Sequence, residues 1–196
     1  MPQISAHLRS LAVAAFGVAI VCLCLQGCGW FAAERTALSR VQTISGVEGS
    51  IGEPFGIAER KGTVYFSDGQ NGKVWRIVAS GNAEVFAEGL DTPSGVALTK
   101  AGDLIVADSG SGTIRLIDSS GKASTIAGVE NKHGFADGEA QTATFNHPIG
   151  VAADGEGRIY VADTYNDRIR VIDGGKVRTL AGGERGFADG AGNDGG

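Results

Sequence analysis

Residues 147–172 read His147-Pro-Ile-Gly-Val-Ala-Ala-Asp-Gly-Glu-Gly-Arg-Ile-Tyr-Val-Ala-Asp-Thr-Tyr-Asn-Asp-Arg-Ile-Arg-Val-Ile172, and the same pattern occurs at 53–77 and 92–117. Each copy has Pro-x-Gly-Ile/Val-Ala, then an apolar run that ends in a small residue and Asp, then a polar turn and a second apolar run. Self-similarity of this kind is the signature of a repeat architecture. The sequence therefore predicts a chain built from equivalent units.

Each unit is predicted to hold four short β-strands. In the first unit they fall near 56–58, 63–67, 73–78 and 83–87, and equivalent runs recur in the other two units. Short runs rich in Val, Ile and Tyr are typical of strands and are too short for helices. The chain has 32 glycines, and they lie largely between these runs, where tight turns are expected. The pattern indicates an all-β fold.

The end of the second strand carries the same acidic residue in every unit: Asp68, Asp108 and Asp163. An Asp side chain at this position can accept hydrogen bonds from nearby amides and fix the turn. Asn166, in the same turn of the third unit, is grouped with them. Because a residue repeated in every unit is most simply explained by the unit itself, we interpret all four as structural turn residues.

The third copy resembles the NHL repeat, a family of β-propeller blades, and the first two copies keep its pattern with substitutions. The resemblance covers the chain from about residue 41 onward and implies four-stranded blades in a ring, usually of six. The chain accounts for about three blades plus a leading outer strand at 41–46. We therefore interpret it as an incomplete or fragmentary six-bladed propeller. The alternative is a homodimer in which two chains of three blades complete one ring.

The N-terminus has the features of an export signal. An apolar stretch at 11–25 lies in a segment without charged residues, and Leu25-Gln26-Gly27-Cys28 resembles the bacterial lipoprotein signal. Residues 1–27 are predicted to be a lipoprotein-type signal peptide or a membrane anchor, with lipidation at Cys28. An uncleaved membrane helix and a plainly cleaved signal are the alternatives. All of these place the body outside the cytoplasm, in the periplasm, at the outer membrane or on the surface of a bacterium.

The rest of the chain divides into predicted segments. In order, they are a linker at 28–40, a propeller segment at 41–190 with blades at about 53–91, 92–128 and 147–183, and a flexible tail at 191–196. The longer connection before the third blade holds Gly134-Phe-Ala-Asp-Gly138, a motif that recurs at 186–190. No cysteine follows Cys28, so the body has no disulfide and no cysteine-based metal site.

Candidate ligand-binding residues are expected where one copy departs from the others, since repeated residues serve the architecture. Tyr165, Asp167 and Arg168 bring larger polar side chains to the turn after the second strand of the third unit. The alternative is a solvated turn in which Arg168 bonds to the backbone of its own blade. Trp75 and Arg170 occupy equivalent third-strand positions and are further candidates, with packing between blades as the alternative for Trp75.

Other kinds of chemistry find little support. The formal net charge is -5 and no Lys/Arg cluster occurs, which argues against nucleic acid as a partner. His133 and His147 are the histidines of the body, and they lack the spacing of a metal-ligand pair. No catalytic triad or phosphate loop can be assembled, so the sequence predicts no catalytic residue, no metal and no cofactor.

The predicted function is a noncatalytic binding or interaction module that is exported and membrane-anchored at the cell envelope. Its ligand would be an unidentified protein or small molecule. A metal-dependent propeller hydrolase or lyase, gluconolactonase-like or peptidyl-hydroxyglycine lyase-like, is the alternative that the resemblance of fold suggests. A truncated gene remnant is the third hypothesis.

Overall fold

The computed structural model of the chain describes residues 51–78 and 81–183. The described residues belong to one compact unit. Several predictions lie outside the described residues: the signal peptide, lipidation at Cys28, the linker at 28–40, the leading strand at 41–46, the second Gly-Phe-Ala-Asp-Gly motif and the tail at 191–196.

In the described part of the chain, three antiparallel sheets follow one another, one for each unit of the sequence repeat. The first contains β1 (Pro54–Arg60), β2 (Thr63–Asp68), β3 (Lys73–Ile77) and β4 (Ala83–Glu88). The second contains β5 (Pro93–Leu98), β6 (Leu104–Asp108), β7 (Thr113–Ile117) and β8 (Ala123–Ala127). The third contains β9 (Gly138–Glu139), β10 (Pro148–Ala153), β11 (Ile159–Asp163), β12 (Arg168–Asp173) and β13 (Lys176–Gly182).

Apart from β9, the strands that are neighbours within a sheet are also neighbours in sequence. The third sheet has the order β10-β11-β12-β13-β9. The short strand β9 at its outer edge comes from residues 128–146, the connecting segment between the second and third blades. Val- and Ile-rich runs of five to seven residues joined by glycine turns form such meanders readily. The predictions of an all-β fold and of four-stranded blades are confirmed.

The turn between the second and third strands needs a left-handed residue in every sheet. Gly72 has φ +63° and Gly112 has φ +68°, and in the third sheet Asp167 takes the same place with φ +52°. Asp is one of the few residue types that adopt this conformation at modest cost. The unit that departs from the repeat thus keeps the turn while adding a side chain to it.

Each first strand begins with a proline that lies opposite the repeated aspartate. The pairs are Pro54 with Asp68, Pro93 with Asp108, and Pro148 with Asp163, and the register shifts directly after each proline. Proline has no N–H to donate, so it fits the first position of a strand. The sequence predicted the first strand of the first unit near 56–58, and the structure begins it earlier, at Pro54.

Apolar clusters fill the spaces between successive sheets. The first and second sheets bury Val74 and Ala87 against Val96, Leu104, Val106 and Ile117. The second and third sheets bury Ile105 and Ile114 against Ile159, Val161 and Ile172, together with Phe145 of the connecting segment. Each sheet is therefore covered by its neighbour, as expected of units that bury little surface alone.

The first strands of successive sheets approach so closely that only glycine fits between them. A Cβ placed on Gly56 would lie 2.6 Å from the carbonyl oxygen of Ser94, and a Cβ placed on Gly95 would overlap the carbonyl oxygen of Ile149. A backbone approach of this kind is a common reason for glycine inside a strand. The glycine of the Pro-x-Gly motif is thus explained by contact between blades.

No helix among residues 51–78 and 81–183 has the length and apolar character needed to cross a membrane.

Candidate functional site

The turn that departs from the repeat contains a short 3-10 helix, Thr164–Asn166, directly after β11. It is held from two sides. The amide of Tyr165 donates to the carbonyl of Asn146 (3.1 Å), and Nδ2 of Asn166 donates to the carbonyl of Gly134 (2.7 Å). The side chains of the turn are therefore presented on a firm support.

Three rings stack beside this turn. The ring centroid of His147 lies 4.5 Å from that of Tyr165 and 4.8 Å from that of His133, and both pairs are close to parallel. Nδ1 of His147 lies 2.9 Å from Oδ1 of Asn146, which fixes the central ring. Tyr165 is 64% exposed and His133 is exposed as well. The stack thus ends in an accessible ring on each side.

A second aromatic contact joins this turn to the connecting segment that also carries His133. The guanidinium of Arg168 is 4.6 Å from the ring centroid of Phe135, which is 63% exposed. Nη1 of Arg168 also donates to the carbonyl of Asn166 (3.3 Å). A cation–π pair at an exposed site contributes about 0.5–1 kcal/mol. We refer to His133, Phe135, His147, Tyr165 and Arg168 together as the aromatic patch.

The aromatic patch has the chemistry of a binding surface. Its rings offer flat faces for stacking, and Arg168 places a positive charge beside them. Asp167, which is exposed, is the acidic residue of the same turn. Over the part of the chain that the structure describes, no group of three or more His, Cys, Asp or Glu side chains could hold a metal ion.

The structure separates the predicted ligand-binding residues into two sets. Tyr165, Asp167 and Arg168 lie together on the turn that follows β11. Trp75 and Arg170 are buried, with 5% and 0% of their surface exposed, and they lie within their blades. These two therefore fall outside the aromatic patch.

The repeated aspartates are all buried and engaged by their own blades. Each accepts a hydrogen bond from the backbone in the segment before its first strand, where the donors are Gly52 and Glu53, Asp91, and Asn146. Each also accepts one from a side chain of the following turn, namely Asn71, Ser111 or Asn166. The carboxylate thus ties the start of the first strand to the end of the second.

The third strand brings one more side chain to each of these carboxylates. Nε1 of Trp75 lies 3.1 Å from Asp68, Nη1 of Arg115 lies 4.0 Å from Asp108, and Nη1 of Arg170 lies 2.8 Å from Asp163. These three residues are equivalent in the repeat. The position is therefore an internal partner of the aspartate, whichever residue type fills it.

Arg170 makes the most extensive of these contacts. Its Nη1 donates to Asp163 (2.8 Å) and to the carbonyl of Thr144 (3.2 Å), and its Nη2 donates to the carbonyl of Ala136 (2.9 Å). Nε and Nη2 both donate to Oδ1 of Asp137, at 2.9 and 2.6 Å. Arg170, which is itself fully buried, thus holds the connecting segment against the third blade through hydrogen bonds and ion pairs.

The pKa of the repeated aspartate is shifted in opposite directions in the first two blades. Burial raises the pKa of Asp108 above its usual value. Burial acts in the same direction on Asp68, but hydrogen bonds from Gly52, Asn71 and Trp75 outweigh it and lower the pKa of that carboxyl. At Asp108 burial outweighs the hydrogen bonds from Asp91 and Ser111, which also favour the ionised form.

Sequence reasoning missed part of the site. It assigned no role to Phe135 or Asp137, and for His133 and His147 it considered metal binding but no aromatic contact. The available signal was the repeated Gly134–Gly138 motif, which places an aromatic residue and an acid between glycines. The structure shows that this motif supplies both a ring to the aromatic patch and a carboxylate to Arg170.

Solved structures establish the class of fold. A protein of unknown function from Bacteroides thetaiotaomicron aligns with a TM-score of 0.62 at 20% identity, over 72% of this chain and 38% of its own. A gluconolactonase from Xanthomonas campestris aligns with a TM-score of 0.54 at 15% identity, over 67% of this chain and 48% of its own. At these identities the likeness shows the fold alone. The described sheets are β-propeller blades.

Sequence comparisons indicate the kind of blade. The NHL repeat family matches residues 90–115 and 145–172. NHL repeat-containing protein 2 of Gallus gallus is 34% identical over 124 residues, which are 55% of this chain and 17% of that protein. Both findings support the NHL-repeat family. The chain spans less than a fifth of the length of this relative.

Proposed function

We propose that this chain is a noncatalytic binding module of the NHL-repeat type and that the aromatic patch is its ligand-binding surface. The observation that carries the proposal is the exposure of Tyr165 and Phe135, at 64% and 63%. Rigid aromatic side chains give a large contact area at low entropic cost, which is why binding surfaces favour them. Their supports are held by hydrogen bonds to the backbone, so little ordering is needed on binding.

The chemistry of the patch defines the class of ligand. A planar ring would stack on Tyr165 and extend the stack through His147, and a carboxylate or phosphate would meet the positive charge of Arg168. The ligand is therefore a small molecule or peptide that carries an aromatic ring next to an anionic group. No bond of the ligand needs to be broken in this arrangement.

A panel of such compounds, with uncharged analogues of the same shape, tests the proposal by isothermal titration calorimetry. We expect Tyr165→Ala to weaken binding about three- to tenfold, because a stacked aromatic pair contributes about 0.5–1.5 kcal/mol. Arg168→Ala should remove the preference for the anionic member of each pair. The matched controls are Gln70→Ala and Lys73→Ala, the equivalent positions in the first unit.

Two results would contradict this proposal. One is a loss of affinity in Gln70→Ala and Lys73→Ala as large as that in the patch variants. The other is a purified protein that contains near-stoichiometric calcium or zinc, which would favour a metal-dependent hydrolase or lyase. Likeness of fold to a gluconolactonase does not by itself choose between the two functions.

We also propose that the chain is exported and is held at the cell envelope by a lipid on Cys28. The support is the sequence Leu25-Gln26-Gly27-Cys28 after an apolar stretch. The intact mass of the native protein tests it: we expect a chain that begins at Cys28 with added acyl groups. Cys28→Ala should lose the added mass and the association with membranes. A native mass equal to that of the whole unmodified chain would contradict the proposal.

A further inference from the structure

The two outer faces of the three-blade array are apolar. On the first blade a hollow of about 410 Å³ is lined by Ile51, Pro54, Phe55, Ile57, Phe66 and Ile77. On the third blade a hollow of about 250 Å³ is lined by Gly150, Val151, Ala152, Tyr160, Ala162 and Ile169. Neither lining contains a charged side chain. Both faces therefore have the composition of a buried contact.

The contacts between successive blades show what covers such faces. Ile57 is 72% exposed, whereas Val96, its equivalent in the second blade, is 8% exposed because the first blade lies against it. Ile169 is 42% exposed, whereas its equivalent Ile114 is 0% exposed under the third blade. In both cases the cover is another blade of the same repeat.

A glycine marks the position that the missing contact would fill. In the first two blades the Pro-x-Gly glycine is met by the next first strand, because a Cβ on Gly56 or Gly95 would run into its backbone. Gly150 holds the same place in the third blade, and there the described neighbour of an added Cβ is the Cβ of Ala162 at 3.3 Å. Gly150 therefore leaves room for the first strand of a further blade to approach as closely as in the first two blades.

We propose that a second copy of this chain covers both faces, so that the third blade of each copy packs on the first blade of the other. The three described blades of each copy would together make six, within the range that closes a propeller ring, and the pair would have two-fold symmetry. The matched segment is 48% and 38% of the two solved propeller chains, so a ring of that kind needs about as much again or more. This assembly goes beyond the proposed ligand-binding function and does not depend on it.

Native mass spectrometry and analytical ultracentrifugation of the full chain test the assembly. The unmodified chain weighs 20.0 kDa, and we expect a species of two chains. Gly150→Ala should weaken the dimer at least about tenfold, because the new Cβ meets the backbone of the other copy and overpacking is costly. The matched control is Gly155→Ala, where no described atom lies within 4 Å of an added Cβ and the dimer should be unchanged.

A second variant guards against failure to fold. Ile57→Asp changes a side chain that is 72% exposed, so the blades should keep their circular dichroism spectrum while the dimer dissociates. A folded monomer of the natural sequence at high micromolar concentration would overturn the proposal, since the faces would then await a different partner. A dimer that Gly150→Ala and Ile57→Asp both leave intact, or an open polymer, would overturn it as well.

Discussion

Replacement of Arg170 by methionine is predicted to be among the most damaging single changes in the described part of the chain. The side chain of Arg170 is fully buried, and so is its partner Asp163. Methionine keeps much of the apolar stem but removes every donor of the guanidinium. Asp163 would remain inside the protein without its cation, and the carbonyls of Ala136 and Thr144 would lose a donor.

The expected magnitude follows from this unpaired charge. Breaking a buried ion pair by removing one partner costs about 3–5 kcal/mol, whereas an exposed pair is worth about 0–1 kcal/mol. The bond of Asp137 to Arg170 is partly exposed and adds little to this range. Since a domain of this size is typically stable by about 5–15 kcal/mol, the Arg170→Met variant should still fold at low denaturant concentration.

The neighbouring blade offers a matched control, Arg115→Met. Arg115 occupies the equivalent position, but its Nη1 lies 4.0 Å from Asp108, and within the described residues its buried Nε has no hydrogen-bond partner. Because this ion pair is long and Nε is already without a partner, the loss of Arg115 should cost clearly less than the loss of Arg170.

Equilibrium unfolding in urea, followed by circular dichroism, measures both Arg-to-Met changes. Hydrogen exchange at the amides of Ala136 and Thr144, which are bonded across the connecting segment, gives a local readout. An equal loss of unfolding free energy in the two variants would refute the reasoning. Unchanged hydrogen exchange at these amides in Arg170→Met would refute it as well.

Two further predictions concern a surface pair and a blade contact. Arg158 lowers the pKa of Asp154 to about 2, so the pair stabilises the fold above the unfolded pKa of about 3.9 and this contribution is lost as the pH falls toward 2. The difference in unfolding free energy between the natural sequence and Arg158→Met should vanish over that window, and a difference that stays constant would contradict the assignment. Gly95→Ala should destabilise the chain by about 1–3 kcal/mol, since its Cβ overlaps the backbone at Ile149. Gly155→Ala should change stability by less than about 0.5 kcal/mol, and equal thermal unfolding of these two variants would show that the blades do not approach as described.

The fold could be predicted from the sequence because the same physical requirement is repeated in every unit. Three features each occur three times in the sequence. They are a proline that starts the first strand and donates no hydrogen bond, a glycine where two backbones approach closely, and a buried aspartate at the end of the second strand. Chance is a poor explanation of such repetition. The positions of Pro54, Gly56 and Asp68 therefore define a blade before any contact is seen.

The aromatic patch could be predicted only in part. Tyr165 and Arg168 stood out because they depart from the repeat. Phe135, which contacts Arg168, and His133, which stacks on His147, lie in a segment that has no counterpart between the first two blades, and only folding brings them to the turn after β11. Long-range contacts of this kind leave no periodic signal in a single sequence.

The contrast between Arg115 and Arg170 has the same physical origin. Both stand at the same position of the repeat, yet Arg170 is buried with five hydrogen bonds and Arg115 is partly exposed with an unpaired nitrogen among the described residues. The difference comes from Asp137 and its neighbours, which only the third blade receives. The sequence position alone could not distinguish the two.

The connecting segment that supplies Asp137 to the buried network also carries Phe135 and His133 to the surface. A structural role and the proposed binding role are therefore coupled through a few residues, because the contacts of Arg170 hold the backbone that carries the exposed rings. A rigid support of this kind reduces the entropy lost when a ligand stacks on the rings. The repeated pattern builds the blades, and the segment that interrupts it carries the exposed rings of the proposed binding surface.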